Sequence, residues 1–215
     1  MSPDLHYREP ERSVTLVGER SEPQRRDSRE SRRKLLDTTG RMLASGRRPR
    51  SLQQLAVEAG LSGATAYRHF RSLDDVLRAY AHQTIQTMGE FTAAQDATGA
   101  ELLRLVTAEW IRITRERGPA MVQLRSRRGW LERRAAGDPI ILDTCIYLEP
   151  AIRGIIADER LPAESLEVGL FLWNITFDPR EILDLIETLG WSDEQVLDRL
   201  LRVYHAGLRA ALRDG

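Results

Sequence analysis

The chain of 215 residues is 41 % hydrophobic and 30 % charged, so it can bury a core and reads as globular, as one large domain or two small ones. Lys+Arg and Asp+Glu balance at 32 each, which leaves the overall charge silent about a partner, and the single Cys145 excludes an intramolecular disulfide and a Cys-based zinc site. No apolar run approaches the ~20 residues that span a bilayer, and the N-terminus lacks the apolar stretch of a signal peptide, so a cytoplasmic chain with no membrane partner is expected.

Residues 1–27 carry Pro3, Pro10 and Pro23 among alternating charges with no sustained apolar period, which predicts a disordered arm. From Ser28 onward the apolar spacing is helical and strand-like alternation never persists. The predicted class is therefore all-α, with about nine helices. The first is expected over Ser28–Ala44, with Leu35, Leu36, Thr39, Met42 and Leu43 inward, stopped by Gly46 and kept from resuming by Pro49. A short helix follows Ser51 with Leu52, Leu55 and Ala56 on one face, and Gly60 is its left-handed C-cap. After the turn Leu61-Ser62-Gly63, Ala64 to Phe70 forms a third short helix. Ser72 then caps a long fourth, with Asp74 and Asp75 in the first turn, where the helix dipole favours acids. Its apolar stripe is Leu73, Val76, Leu77, Tyr80, Thr84, Met88 and Phe91, in steps of three and four.

Beyond an Ala/Gly/Asp-rich break at residues 95–99, Leu103, Val106, Trp110 and Ile113 mark a helix that Gly118-Pro119 should end, followed by a short Met121 to Leu124 piece. An Arg-rich loop of Arg125, Arg127, Arg128, Arg133 and Arg134 surrounds Trp130. Ile141, Cys145, Leu148, Ile152 and Ile156 mark the next helix, in which Pro150 predicts a kink or break. Leu166, Leu170, Trp173 and Phe177 share one face of another. Val168, Phe171, Leu172 and Ile175 cover much of the rest, so this helix should be buried. The last begins at a capping box, Ser192-Asp193-Glu194-Gln195, and runs through Leu197, Leu201, Tyr204, Leu208 and Leu212.

Charge is unevenly spread. Between Arg25 and Arg50 stand Arg25, Arg26, Arg29, Arg32, Arg33, Lys34, Arg41, Arg47, Arg48 and Arg50, opposed only by Asp27, Glu30 and Asp37. From Asp178 to Arg199 acids dominate. Such asymmetry points to a basic end that meets a polyanion. The segment Ser51 to Phe70 fits that partner. Ala56 and Gly60 allow two short helices to cross closely, and Leu52, Leu55, Leu61, Ala66 and Phe70 make a small core. The second helix is left with Gly63, Ala64, Thr65, Tyr67, Arg68 and His69 outward, without a carboxylate to repel phosphates, and its short side chains let the backbone enter a major groove.

This stretch resembles the TetR family of bacterial regulators over roughly Ser28 to Thr87. The most specific part is Ala-Gly-Leu-Ser-Gly-Ala-Thr-Ala-Tyr-Arg-His-Phe, from Ala59 to Phe70, followed by Ser72 and an acidic helix start. The resemblance implies that Tyr67 and His69 reach phosphates while Ala64, Thr65 and Arg68 lie near base edges. Arg50, Ser51, Ser62, Gly63 and Arg71 complete the candidate DNA-facing set. One departure stands out: the family commonly has a Lys at the position of Leu73, where it touches a phosphate, and Arg71 is the nearest substitute here. Residues 28–87 are thus expected to form a helix-turn-helix head, and residues 88–215 a helical bundle for sensing and dimerisation.

A lone helix-turn-helix reads few base pairs, and a twofold dimer doubles the site and sets two recognition helices ~34 Å apart. Val203, Gly207 and Ala210 form a small-residue strip on the last helix that suits close approach of a second copy or of a neighbour in the same chain. The family resemblance implies the former, through the last two helices. It also implies a repressor on a palindromic operator, released by a small hydrophobic effector. Trp110, Met121, Trp130, Tyr147, Trp173 and Phe177 are the candidate ligand-binding residues; ordinary core packing is the competing reading of each. The Arg-rich loop reads as a solvated face or as a site for an anionic ligand. Two alternatives stay open: a DNA-binding protein of this fold without an effector, controlled by a protein partner or purely architectural, and a helical enzyme. For an enzyme there is little support, since the sequence has no Gly-x-Ser-x-Gly, His-Glu-x-x-His, phosphate loop or Cys-x-x-Cys, and His6, His69, His82 and His205 are scattered. No cofactor or metal is expected.

Overall fold

Three serines punctuate the N-terminal part of the chain. Ser51 Oγ accepts from Gln54 N (3.0 Å), Ser62 Oγ from Thr65 N (3.1 Å) and Ser72 Oγ from Asp75 N (3.2 Å), each satisfying an otherwise orphaned amide at a helix start. The computed structural model describes residues 22–124 and 126–211, with ten α-helices and no strand among them. In chain order these are α1 (Glu22–Ala44), α2 (Leu52–Glu58), α3 (Gly63–His69), α4 (Leu73–Ala93), α5 (Gly99–Gln123), α6 (Trp130–Ala135), α7 (Pro139–Glu159), α8 (Ser165–Thr176), α9 (Pro179–Glu187) and α10 (Asp193–Ala210). The fold is all-α, a three-helix head followed by a helical bundle.

Several expectations are corrected. Of the arm at residues 1–27, residues 1–21 lie outside the described residues, as do Arg125 and Leu212; from Glu22 the chain is already helical. The count is ten rather than nine, because the Met121 to Leu124 piece belongs to α5 while α6 lies in the supposed Arg-rich loop and α9 in the acidic segment. Gly118-Pro119 does not end α5. A Cβ on Gly118 would stand 2.7 Å from Leu183 Cδ1 of α9, so this glycine permits a close crossing, and the helix beyond it is anchored by fully buried Ala120. Pro150 does not break α7 either. It lies on the exposed side, where the unbonded Ile146 carbonyl can face water. Asp138 starts that helix by accepting from Ile140 N (3.0 Å), with Pro139 at the first position.

Two apolar clusters fill the interior. One joins Leu35, Met42, Leu43, Leu55, Phe70, Val76 and Tyr80 from α1 to α4, and takes in Ala120 from α5. The other gathers Ile85 and Met88 of α4 with the inner faces of α5, α7, α8, α9 and α10. α4 therefore contributes to both, and crosses α1 at Gly40, where an added Cβ would stand 2.8 Å from the Tyr80 ring. Gly60, at φ +68°, ends α2 and lets Leu61 N donate back to Ala56 O (2.8 Å). A side chain there is strained, so Gly60→Val is expected to lower the unfolding free energy by about 1 to 2 kcal/mol. Gly89→Ala, in open space within α4, should instead raise it by up to ~1 kcal/mol; urea midpoints of the two variants give the comparison.

Candidate functional site: a helix-turn-helix and a cavity

The interior of the helix-turn-helix is made by Leu52, Leu55, Ala56, Ala66 and Phe70, all buried, with Leu61 packed beside them. Arg32 lies over the Phe70 ring at 4.8 Å, and Arg47 pairs with Glu58 at 3.3 Å, tying the α1–α2 connection to α2. Of the ten candidate DNA-facing residues, six lie on α3 (Gly63, Ala64, Thr65, Tyr67, Arg68 and His69), Ser62 caps it and Arg71 follows it, while Arg50 and Ser51 stand before α2. Arg50, Ser51, Ser62, Ala64, Tyr67, Arg68 and Arg71 are exposed; Gly63, Thr65 and His69 are partly so. Two of these have structural duties: Ser51 and Ser62 are N-caps, and the Ser62 and Thr65 hydroxyls are 2.9 Å apart. α3 itself carries no carboxylate. Leu73, the departure from the family pattern, opens α4 and packs partly buried against the head's core.

On the body side of α4 lies a cavity of about 460 Å³, lined from α4 (Tyr80, Thr84, Ile85), α5 (Trp110, Met121), α6 (Trp130), α7 (Tyr147) and α8 (Trp173). Five of the six candidate ligand residues line it. Phe177 does not; it packs against Trp173 with ring centroids 5.5 Å apart and against Tyr204 at 6.4 Å. The back wall is tied down: Trp110 Nε1 donates to Phe177 O (2.9 Å) and Trp173 Nε1 to Thr107 Oγ1 (3.1 Å). Two other buried polar atoms of the lining, Trp130 Nε1 and Tyr147 Oη, have no hydrogen-bond partner among the described residues. Burial pushes the Tyr147 phenol far above its ordinary pKa, so it stays a neutral donor. A second hollow of about 520 Å³ adjoins the first through Ala81, Leu124 and Ile140, and is bordered by Arg48, Arg78 and Arg127.

Val203 is 59 % exposed, Ala210 is exposed and Gly207 partly so, all on α10. The expectation that α8 is buried all round fails for the single chain, since Phe171 and Ile175 remain at the surface while Leu172 lies beside Gly207. Sequence reasoning missed the contribution of α4 to the cavity wall, although Tyr80 and Thr84 stood in the stripe it read as core. His82 was passed over as scattered, yet its Nε2 lies 2.6 Å from Asp143 Oδ2 and links α4 to α7.

No protein-family model and no curated protein matches this sequence. Among solved structures, the chain is similar to a candidate transcriptional regulator from Pseudomonas aeruginosa PAO1, with 12 % identity and a TM-score of 0.59 over 89 % of this chain and 93 % of that one. At that identity the likeness establishes a shared fold. Among the described residues no helix is long and apolar enough to cross a membrane, and no group of three or more His, Cys, Asp or Glu side chains is placed to hold a metal ion.

Proposed function

We propose that the chain is a DNA-binding transcriptional regulator of the TetR kind, a repressor that binds a palindromic operator as a homodimer and is released by a small effector held in the aromatic cavity. The observation that carries this reading is continuity. A carboxylate-free α3 face of Ala64, Thr65, Tyr67 and Arg68 is joined through the Ser72 cap to α4, and α4 also supplies Tyr80, Thr84 and Ile85 to the cavity wall. A molecule in the cavity that fits one position of α4 better than another changes where α3 sits. To move such an equilibrium from 1:99 to 99:1 the effector needs a differential affinity of about 5.5 kcal/mol. The exposed apolar residues of α8 and α10 supply a face for the second copy, and the cavity volume falls within the roughly 300 to 1,000 Å³ typical of small-molecule sites. A cytoplasmic location follows from a chromosomal target.

Phosphate and base contacts separate in solution. Arg71→Gln is expected to weaken binding to all DNA sequences alike and to reduce the slope of log K against log salt by about 1. Tyr67→Phe and His69→Ala should also weaken all sequences alike. Thr65→Ala or Arg68→Ala should alter the bases preferred in a selection from random DNA. Unchanged affinity across a salt series for Arg71→Gln, Tyr67→Phe and His69→Ala together would remove α3 from the DNA.

A further inference from the structure

Two buried polar atoms of the first hollow's lining have no partner among the described residues, and both give hydrogen bonds; arginines outnumber carboxylates around the two hollows. Trp130 Nε1 is a donor only, and the neutral Tyr147 hydroxyl is a donor with no acceptor in place. The threonine hydroxyls nearby are already used, Thr84 on Tyr80 O (3.4 Å) and Thr144 on Ile140 O (2.7 Å). Five guanidinium groups, from Arg48, Arg78, Arg127, Arg128 and Arg133, border the hollows, against the carboxylates of Asp74, Asp138 and Asp178. Two of the five are taken: Arg128 pairs with Glu132 at 2.8 Å and Arg133 with Asp138 at 2.9 Å. Asp178 accepts from Arg180 N (3.0 Å) as the cap of α9, and Asp74 sits in the first turn of α4. Arg78 and Arg127 have no carboxylate within ion-pair distance among the described residues. A cationic ligand would meet mostly like charge here, and a pure hydrocarbon would leave the two uncommitted guanidinium groups, Arg78 and Arg127, without a counter-charge.

We propose that the effector is an amphipathic anion: an apolar body lying against Trp110, Trp130 and Trp173, and an oxyanion end held by Arg78 and Arg127 in the adjoining hollow. This rests on the reading of the cavity as the effector site. The planar guanidinium fork matches a carboxylate or a phosphate. The position of the anionic end has a consequence for control. Arg78 belongs to α4, and Arg48 lies in the connection that leads into α2, where its Nη1 donates to Gln123 O at 3.5 Å. An anion there draws on residues of the DNA-binding head itself, and disturbs the contact between that connection and the end of α5.

The test uses the full chain with decanoate, decyl phosphate and decanol, each below its micelle concentration and at low ionic strength, read by quenching of Trp fluorescence. At least one of the two anions should bind tenfold or more tightly than decanol, and the better of the two names the oxyanion. That preference should vanish in Arg78→Gln/Arg127→Gln and persist in Arg199→Gln, whose guanidinium lies over Trp191 at 4.2 Å, away from the hollows. Ala81→Phe, which fills the space shared by both hollows, should abolish binding of all three while circular dichroism and melting stay unchanged. Decanol binding as tightly as both anions, and losing that binding in Ala81→Phe, would overturn the anionic assignment while the cavity reading stands. An anion preference that survives in Arg78→Gln/Arg127→Gln would overturn the placement of the charge. Binding unaffected by Ala81→Phe, or no binding of any probe, would overturn both the proposal and the cavity reading beneath it.

Discussion

Trp173→Ala is expected to lower the unfolding free energy by about 3 to 5 kcal/mol, the loss typical of a large aromatic cut out of a core. The indole is 2 % exposed and stands between three other rings, at 5.5 Å from Trp110, 6.1 Å from Tyr147 and 5.5 Å from Phe177. Its removal also takes the donor from the buried hydroxyl of Thr107, 3.1 Å away. Against a total stability of about 5 to 15 kcal/mol this is a large fraction, so the variant should melt early and damage every activity of the chain together. Urea unfolding followed by circular dichroism measures it, and a loss under ~1 kcal/mol would mean that the neighbouring cavity lets the ring's surroundings relax. Trp173, one of the six candidate ligand-binding residues, is therefore a poor place to test ligand sensing. Substitutions at Ala81, on a less crowded wall, separate binding from stability.

Gly207→Leu should convert the proposed dimer to monomers while leaving helicity intact, and cut affinity for a specific operator by about a thousandfold, towards the non-specific level. A Cβ at Gly207 would meet only Leu172, at 3.8 Å, an ordinary contact distance, so the chain's own fold tolerates a larger residue there. In the proposed dimer the new side chain would obstruct the approach of a second α10 across Val203 and Ala210. Sedimentation of the variant gives the answer, and an intact dimer would move the interface to another face.

Within the head, α2, α3 and the start of α4 were legible in the sequence to within a residue or two because each of their signals is local, whereas α1 begins at Glu22, six residues before the expected Ser28. Ser51, Ser62 and Ser72 mark helix starts, Gly46 and Gly60 take positive φ, and the apolar residues between them alternate at helical spacing. Seven of the ten candidate DNA-facing residues, Ser62 to Thr65 and Tyr67 to His69, fall together for the same reason, being the cap and residues of one short helix. The body resisted where a local signal carried a tertiary meaning. Gly118 reads as a stop, but its missing side chain makes room for Leu183 of a helix far along the chain. α6 and α9 were hidden in charge-rich sequence, although Asp178-Pro179 spells the same cap and first turn that opens α7 at Asp138-Pro139. The cavity was half visible. Its rings are rare enough to notice in a sequence, whereas the share of Tyr80 and Thr84 in its wall depends on which face of α4 looks at which cluster.

The unbroken run of α5 through Pro119 sets a condition on how parts of this protein can be exchanged. Ala120 is fully buried in the cluster built by α1 to α4, and Leu124 packs against the same cluster. A head cut from the chain at the end of α4 would carry an open seam where those two residues belong. Grafting it onto a foreign body would succeed only if that body brought a helix end of the same shape to the same spot. Recombination between chains of this architecture is thus limited by a few atoms 27 to 31 residues beyond the end of α4, at Ala120 and Leu124, and a working chimera would have its crossover after Leu124.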